Sequence, residues 1–445
     1  MKYFKPIIIL FIALFFNPLY SQQQVNTREI ESKMQWFADA RLGIFIHWGI
    51  YSLGNTSESW AFHNKQISHA DYMAQISRFT AKNYKPEYWA ELIRKSGARY
   101  SVITSKHHDG VALWDTRMND LSIVKKSPAA KDVLTPFVDA LRSQGIKVGL
   151  YYSLIDWSFT DYPGFLKDSG RYDSALDPVR WGKFLKFCHG QIDEITSRFD
   201  PDLIWFDGDW EHSAGEWRAD YIRSLILKKN PKAVINGRLQ GYGDYDTPEQ
   251  NFPVSRPDLK YWELCMTMNE SWGYFKEDNN YKTPYEIITI FADVISMGGN
   301  LLLDIGPKED GTIPEEQIQI LTELGKWTSK HNEAIFGTTG GIRQGHFYGP
   351  TTLSKDSLNL YLFIPGKVIG DVVVKGLDNK IKSVTVLGNA TKITPKIVGK
   401  ISWSRVPGLV YINVPVEVQD SYMTVLRLEL DKAIKLFGDK ERAQL

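Results

Sequence analysis

Cysteine is nearly absent from this chain, which contains only Cys188 and Cys265 in 445 residues. Two cysteines are too few for the disulfide framework of a small secreted domain or for a cysteine-rich zinc site. The sequence leaves a single disulfide between them open, and two buried thiols are the default expectation. A chain of this length is expected to be stabilised by a sizeable hydrophobic core, divided between two domains.

An excess of charge of either sign is also missing. Lys and Arg number 53 while Asp and Glu number 52, so the formal net charge is +1. A protein that binds nucleic acid or an acidic membrane usually carries a basic stripe. The balanced composition therefore predicts no nucleic-acid partner.

Two signatures of nucleophilic and nucleotide chemistry do not occur. The chain has no G-x-S-x-G motif and no G-x-x-x-x-G-K-[ST] motif. The first would place a serine nucleophile on a sharp turn, and the second would cradle phosphate groups. Their absence argues against a serine hydrolase of that type and against a P-loop enzyme.

A long apolar run of membrane-spanning length is absent too. The apolar residues 6–16 follow Lys2 and Lys5 and precede small and polar residues near Ser21. This run is shorter than the ~20 residues that span a bilayer as a helix. Residues 1–22 therefore read as a signal peptide of a secreted or periplasmic protein, without stable membrane insertion after cleavage. An uncleaved anchor is the alternative.

Short apolar strands alternate with amphipathic helical segments between residues 23 and 339, which predicts a parallel sheet with both faces covered. About seven strands are visible where a closed (β/α) barrel needs eight, so one strand is irregular. We therefore predict an irregular (β/α)8-like TIM barrel at 23–339. The strands read as follows: LGIFIHWG, YSVITSKHHDG, KVGLYYSL, LIWFDGDW, AVINGRL, YWELCMT and NLLLDIGP.

Residues 340–445 differ from the barrel region in their predicted secondary structure. Short β-rich runs such as SLNLYLFIPG and YMTVLRLEL follow one another with turn residues between them and no helix. Runs of this kind predict an antiparallel β-sandwich domain after the barrel.

Titratable and phenolic side chains follow successive barrel strands, and the residues where strands end carry the chemistry of such barrels. In LIWFDGDWEH, for example, Trp205 and Asp207 share one strand face because side chains alternate. One shared site at the barrel mouth is the simplest explanation. The strand-end residues are His47, His107, His108, Asp109, Tyr151, Tyr152, Asp207, Arg238 and Glu263.

This set of residues favours glycoside hydrolysis over metal chemistry. Adjacent residues on a strand point to opposite faces, so His107 and His108 are not expected to bind one ion. Two carboxylates beside aromatic and neutral hydrogen-bonding groups fit glycosidase chemistry. The aromatic content of 13%, with 14 Trp, also suits a cleft that stacks on sugar rings, although a large aromatic core would explain it equally well.

Five segments of the chain resemble glycoside hydrolase family 29, the α-L-fucosidases. Their order along the chain spans nearly the whole barrel, and the resemblance implies a retaining exo-acting α-L-fucosidase with an irregular barrel and a C-terminal β-sandwich. It also implies Asp207 as the nucleophile. The segments are RLGIFIHWG, SKHHDGVALWDT, LIWFDGDWEH, YWELCMTMNESWGY and GGNLLLDIGPKEDG.

The same resemblance implies a set of residues that contact the fucose, and it leaves two candidates for the acid/base. Glu249 is the first choice, because it follows Arg238 on a loop that suits the cleft mouth, and Glu263 is the rival. The implied sugar contacts are His47, Glu58, Trp60, His107, His108, Tyr152, Trp205, Arg238 and Trp272.

The expected partner is a fucosylated glycan, and no cofactor or metal is expected. The sequence leaves a homo-oligomer open. It also leaves open an α-L-galactosidase-like relative, whose substrate carries an extra hydroxyl at C6, and a carbohydrate-binding protein with impaired catalysis.

Overall fold

The computed structural model describes residues 27–164, 172–258 and 260–438, and the predicted signal peptide at 1–22 lies outside the described residues. Within these ranges, no helix is both long and apolar enough to cross a membrane.

Seven strands of the described chain form one parallel sheet in the order β5-β4-β3-β2-β1-β7-β6. Nearly every residue in these strands is buried, as expected where helices cover one face of a parallel sheet and the barrel interior lies on the other. The strands are β1 (Leu42–Ile46), β2 (Tyr100–Lys106), β3 (Lys147–Ser153), β4 (Leu203–Asp207), β5 (Val234–Ile235), β6 (Glu263–Thr267) and β7 (Asn300–Ile305).

An irregular segment at residues 245–249 lies between the two edge strands, β5 and β6. Tyr245 forms a parallel bridge with Asn236, directly after β5. Glu249 forms a parallel bridge with Cys265 on β6. This segment takes the place of the eighth strand, which confirms the prediction of a barrel with one irregular strand.

Helices connect the strands and cover the outside of the barrel. Proline occupies the first turn of α4, α7 and α10, where its missing N–H leaves no hydrogen bond unmade. The helices are α1 (Thr27–Ala40), α2 (Trp60–His63), α3 (His69–Ala74), α4 (Pro86–Lys95), α5 (Ile123–Lys126), α6 (Leu134–Ser143), α7 (Pro178–Phe199), α8 (Ala214–Trp217), α9 (Ala219–Lys229), α10 (Pro284–Ser296), α11 (Glu315–Lys330) and α12 (Asn332–Ile335).

Alternation along each strand divides the core into two layers. On β4, Leu203 and Trp205 point into the barrel, where they join Tyr151 and Cys265. Ile204 and Phe206 belong to the larger outer layer, between the strands and the helices. Asp207 therefore points to the inner side, as its spacing from Trp205 predicts.

The C-terminal region packs a six-stranded antiparallel sheet, in the order β13-β12-β16-β10-β9-β8, against a three-stranded sheet, β11-β15-β14. This confirms the predicted barrel and β-sandwich, and the first strand begins two residues before the predicted boundary at 340. The strands are β8 (Thr338–Gly340), β9 (Thr351–Ser354), β10 (Asn359–Pro365), β11 (Asp371–Val374), β12 (Ile381–Val386), β13 (Lys392–Ile393), β14 (Lys396–Val398), β15 (Leu409–Asn413) and β16 (Met423–Leu430).

The sandwich is joined to the barrel through its six-stranded sheet. Phe363 on β10 and Val425 on β16 pack into the outer core layer of the barrel. The indole of Trp327 on α11 donates a hydrogen bond of 2.9 Å to the carbonyl of Met423. Both cysteines lie within the described residues, and each is a free, buried thiol, Cys188 on α7 and Cys265 on β6.

The outer core layer predicts the effect of a cavity in α11. Leu324→Ala should lower the free energy of unfolding by ~2–5 kcal/mol, because Leu324 is fully buried and alanine keeps the helix propensity. Ser329→Ala, at an exposed position of the same helix, is the matched control and should change little. Thermal unfolding followed by circular dichroism measures the difference, and equal melting temperatures would contradict this account of the core.

Candidate active site

Asp207 lies at the mouth of the barrel, as the last residue of β4, and only 8% of its surface is exposed. The hydroxyl of Tyr151 donates to Asp207 Oδ2 at 2.9 Å, and Arg238 Nη1 donates to Oδ1 at 2.9 Å. One oxygen is thus held from β3 and the other from the turn that follows β5. Gly208 then turns the chain at φ +80°, where a Cβ would meet the side chain of Ile155 at 2.6 Å.

Arg238 connects Asp207 to a second carboxylate. Its Nη2 donates to Glu249 Oε2 at 2.5 Å, and its guanidinium lies 4.6 Å from the ring centroid of Trp205. Burial alone would lower the pKa of Arg238, but the nearby anionic groups, Asp207 foremost, outweigh burial and raise it. One permanently charged guanidinium therefore holds both carboxylates beside each other.

Glu249 lies at the open side of the site, with 40% of its side chain exposed. It ends the irregular segment that closes the barrel, so its backbone is held against β6. A cleft of about 870 Å³ opens beside it. Its lining includes Arg238, Thr247, Glu249 and the segment at residues 251–258, which follows Glu249 along the chain. Glu249 can therefore reach a group that enters from the mouth.

Glu263 does not lie where the sequence predicted. It is the first residue of β6 and not a strand end at the mouth, and it is fully buried inside the barrel. Its carboxylate accepts hydrogen bonds from Tyr100, Trp205 and Tyr245. Burial raises its pKa to about 7. The prediction of Glu263 as a strand-end group was wrong, and its burial removes it as a rival for the acid/base.

Three buried histidines line the site in their neutral form, because burial lowers the pKa of each well below the ordinary imidazole range. The Nδ1 atom of each is held by a neighbour. His47 pairs with Asp304 Oδ1 at 2.7 Å, and its ring lies tilted against that of Trp272. His107 pairs with Ser59 Oγ at 2.5 Å.

His108 has a defined tautomer. The Ser153 hydroxyl donates to the carbonyl of Ile155 at 2.8 Å, so its oxygen accepts from His108 Nδ1 at 2.6 Å. The Nε2 atom then carries a lone pair and lies 3.6 Å from Asp207 Oδ2. This buried atom finds no hydrogen-bond donor among the described residues. An unsatisfied buried acceptor beside a carboxylate fits a hydroxyl group supplied by a ligand.

His107 and His108 share one site, contrary to the prediction that they point to opposite faces. Their ring centroids lie only 4.4 Å apart. Strand alternation does not apply to them, because β2 ends at Lys106 and both histidines lie in the turn that follows. Within the described ranges, no three His, Cys, Asp or Glu side chains are grouped so that they could hold a metal ion.

Tyr152 was predicted to contact the sugar, and the structure places it elsewhere. Its hydroxyl donates to Gln191 Oε1 on α7 at 2.9 Å, on the helix-covered side of β3. Tyr151 points into the barrel instead and stacks near Trp205, with ring centroids 5.7 Å apart. The two tyrosines are adjacent on β3, so their side chains point to opposite faces of the sheet. An error of one residue in assigning the inward-facing positions therefore exchanges their roles.

Aromatic side chains form the walls of the site. The ring of Trp60 meets His108 edge-on at 5.6 Å and lies nearly parallel to the half-exposed Trp210. On the opposite side, Trp272 lies 4.9 Å from His47. Behind it, the buried Glu58 accepts a hydrogen bond from the Gly273 amide at 2.6 Å, and burial raises the pKa of Glu58.

The structure thus brings together most of the predicted residues and adds several that sequence reasoning missed. Tyr151 was visible as a strand-end phenol, whereas no sequence signal singled out Ser59, Ser153 or Asp304 as partners of the histidines. The predicted residues that meet at the mouth are His47, Glu58, Trp60, His107, His108, Trp205, Asp207, Arg238, Glu249 and Trp272.

The arrangement suits acid/base and nucleophilic chemistry on a neutral polyhydroxylated ring. A rigid carboxylate and an exposed carboxylate flank one guanidinium, as two catalytic carboxylates flank a scissile glycosidic bond. Neutral imidazoles accept and donate hydrogen bonds to hydroxyl groups. Aromatic walls pack against the apolar faces of a sugar and exclude water.

Similarity to known proteins agrees with this chemistry. A family model described as Alpha-L-fucosidase matches residues 16–333. The α-L-fucosidase of Dictyostelium discoideum is 30% identical over 373 residues, which cover 75% of this chain and 79% of that protein. Human tissue α-L-fucosidase is 29% identical over 419 residues, which cover 85% of this chain and 84% of that protein.

Solved structures give the same result. α-L-Fucosidase isoenzyme 1 from Paenibacillus thiaminolyticus superposes with a TM-score of 0.82 at 29% identity, covering 91% of this chain and all of that chain. A family 29 α-L-fucosidase from Bacteroides thetaiotaomicron superposes with a TM-score of 0.79 at 27% identity, covering 90% and 96%. Since the family model spans more than half of its residues, this chain belongs to the α-L-fucosidases of glycoside hydrolase family 29.

Proposed function

We propose that this protein removes terminal α-L-fucosyl residues from glycans with retention of configuration, using Asp207 as nucleophile and Glu249 as acid/base. The observation that carries the proposal is the guanidinium of Arg238, which donates to Asp207 Oδ1 and to Glu249 Oε2. It holds a buried carboxylate and a partly exposed carboxylate on one guanidinium at the mouth of the barrel.

Asp207 has the properties of the nucleophile. It lies on a strand, its two oxygens are oriented by Arg238 and Tyr151, and 8% of its surface remains open to the pocket. A reacting carboxylate must be held close to its productive geometry, because a small misplacement slows the reaction strongly. The rigid strand supplies that positioning.

Glu249 has the properties of the acid/base. Its partly exposed side chain adjoins the cleft of about 870 Å³ on the open side of Arg238. The glycosidic oxygen of a bound fucoside must face outward, since the rest of the glycan cannot enter the barrel. A proton donor at the cleft therefore meets the leaving group, and the glycan that departs lies in the cleft.

The two steps follow from these positions. In the first step, a carboxylate oxygen of Asp207 bonds to the anomeric carbon while the glycosidic bond breaks and Glu249 gives its proton to the leaving oxygen. In the second step, Glu249 takes a proton from water, and that water displaces Asp207. The Bacteroides thetaiotaomicron enzyme has been solved as a trapped covalent intermediate in complex with 2-fluoro-fucosyl fluoride, which supports the same course here.

Binding of the fucose rests on the neutral histidines and the aromatic walls. The Nε2 acceptor of His108 lies 3.6 Å from Asp207 Oδ2, so it is assigned to the hydroxyl nearest the anomeric carbon, the 2-hydroxyl. Hydrogen bonds to that hydroxyl strengthen in the transition state of glycosidases. Trp60 and Trp272 bound the pocket on two sides.

Residues 1–22 are part of the proposal as a signal peptide, so the enzyme acts on glycans outside the cytoplasm. The basic residues and the short apolar run of this segment support it.

The nucleophile is tested by Asp207→Gly. Turnover of 4-nitrophenyl α-L-fucoside should fall by at least ~10⁴-fold, because no covalent intermediate can form. Azide should partly restore the reaction by entering the space of the lost carboxylate, and proton NMR should identify the product as β-fucosyl azide. The wild-type enzyme should first release α-fucose. Retained activity without azide, or initial release of β-fucose by the wild type, would overturn the assignment.

The acid/base is tested by Glu249→Ala on two substrates. A fucosyl disaccharide, which has a poor leaving group, should lose ~10²–10⁴-fold in kcat/KM, while an activated aryl fucoside loses far less at its first step. Azide should yield α-fucosyl azide, because it attacks the intermediate from the face that water uses. Glu270→Ala, at an exposed loop glutamate, is the matched control. The assignment fails if that control shows the selective loss and Glu249→Ala does not.

The role of His108 is tested with a substrate that lacks the 2-hydroxyl. His108→Phe should lower kcat/KM on an α-L-fucoside by ~5- to 150-fold, the equivalent of about 1–3 kcal/mol for one lost hydrogen bond. On the matching 2-deoxyfucoside, the same substitution should cost little, since the hydroxyl that His108 accepts from is already missing. Equal losses on both substrates would place His108 against another group.

A further inference from the structure

Glu263 is a buried carboxylate that the proposed reaction does not use. It opens β6 at the end of the barrel away from the mouth and has no exposed surface. Trp205 Nε1 donates to its Oε1 at 3.0 Å, and the Tyr245 hydroxyl donates to the same oxygen at 3.1 Å. The Tyr100 hydroxyl donates to Oε2. Three donors from three separate parts of the chain thus converge on one carboxylate.

Stability alone does not account for a carboxylate at this place. Taking a carboxylate out of water costs several kcal/mol, and neutral donors offset this cost only in part. The cost is visible in the pKa of Glu263, which burial raises to about 7. Even buried ion pairs, whose charges compensate each other, are often replaced by well-packed apolar residues of similar volume without loss of stability. The group is therefore expected to fix a geometry.

Glu263 accepts a hydrogen bond from Trp205, and the indole ring of Trp205 contacts both groups that hold Asp207. The guanidinium of Arg238 lies 4.6 Å from the Trp205 ring centroid. The ring of Tyr151 stacks on the same indole, with centroids 5.7 Å apart and planes 20° apart. Arg238 and Tyr151 each donate to one oxygen of Asp207 at 2.9 Å.

We infer that Glu263 is a positioning residue, which anchors the Trp205 indole from below so that Arg238 and Tyr151 orient the carboxylate of Asp207. The inference rests on the proposed role of Asp207 as nucleophile. An aromatic side chain can rotate about two torsions, and the hydrogen bond from Nε1 to Glu263 fixes the indole edge. Groups that orient a reacting atom need such support from the residues behind them.

A double-mutant cycle tests the inference on the full chain with 4-nitrophenyl α-L-fucoside. Glu263→Gln keeps the size of the side chain but removes its negative charge and one of its two acceptor oxygens, so the hydrogen bond from Trp205 Nε1 is weakened. The expected result is a fall in kcat of ~10- to 100-fold with KM changed less than about threefold, because the reacting carboxylate is misplaced while the sugar contacts remain.

Trp205→Phe closes the cycle, since it deletes the indole N–H and keeps an aromatic ring. In that background, Glu263→Gln should cost less than about threefold further in kcat, because the link between the two residues is already gone. Equal losses in both backgrounds, or a loss seen in KM and not in kcat, would overturn the inference.

Tyr245→Phe is the matched control, because Tyr245 donates to the same oxygen of Glu263 as Trp205 does. It should lower the melting temperature while kcat stays within about twofold, and Glu263→Gln should keep its full effect in that background. A fall in kcat equal to that of Trp205→Phe would show that Glu263 acts through general stability and would overturn the inference.

The set of variants also distinguishes a failure to fold from a failure of the inference, and a failure of the inference from a failure of the proposed function. If Glu263→Gln does not yield folded protein, the comparison of Trp205→Phe with Tyr245→Phe carries the test, and equal kcat values would overturn the inference. Asp207→Gly reports on the nucleophile independently. An inactive Asp207→Gly with an uncoupled cycle rejects only the positioning role, whereas an active Asp207→Gly rejects the proposed function itself.

Discussion

The site depends on one partly buried cation, Arg238. Arg238 Nη1 donates to Asp207 and Nη2 donates to Glu249, so a single planar group sets the separation of the two carboxylates. A guanidinium is suited to this task because its donors diverge in a rigid fork and its charge persists at every working pH. The face of the same group lies on Trp205, which fixes its plane. These contacts of Arg238 therefore set the orientation of Asp207, the position of the Glu249 carboxylate and one edge of the cleft.

The remainder of the pocket is built to be neutral. Burial lowers the pKa of His47, His107 and His108, so their rings hydrogen-bond without adding charge beside Asp207. Their Nδ1 atoms are held by Asp304, Ser59 and Ser153, which leaves the Nε2 atoms for a ligand. Sugar hydroxyls are neutral donors and acceptors, and such a lining matches them better than a charged one would. Glu263 accepts a hydrogen bond from the indole of Trp205, and the hydroxyls of Ser59 and Ser153 pair with His107 and His108, so a further layer of polar groups lies behind the pocket.

The predictions that failed concern strand ends and strand faces. Glu263 and the paired histidines were placed from strand ends and strand parity, whereas Tyr152 was implied as a sugar contact by the family resemblance and differs by one residue from Tyr151, which faces inward. β2 ends at Lys106, one residue before His107, so alternation stops just before it was applied. Glu263 is the first residue of β6, so it lies at the end of that strand away from the mouth. Neither boundary leaves a signal in composition or hydrophobic periodicity, because both are set by pairing with distant strands.

Alternating apolar segments and local motifs are properties of neighbouring residues, so the amino-acid sequence was enough to predict the barrel, the sandwich and the family. It also determined that Asp207 faces inward with Trp205, since both lie within one strand. That Tyr151 and not Tyr152 holds Asp207, and that Arg238 joins Asp207 to Glu249, became visible in the folded barrel. These contacts join residues 11 to 56 positions apart in the chain, through the register of strands and the path of a closing segment. Contacts between residues that are separated in the chain form when the barrel closes, so no local stretch of the sequence predicts them.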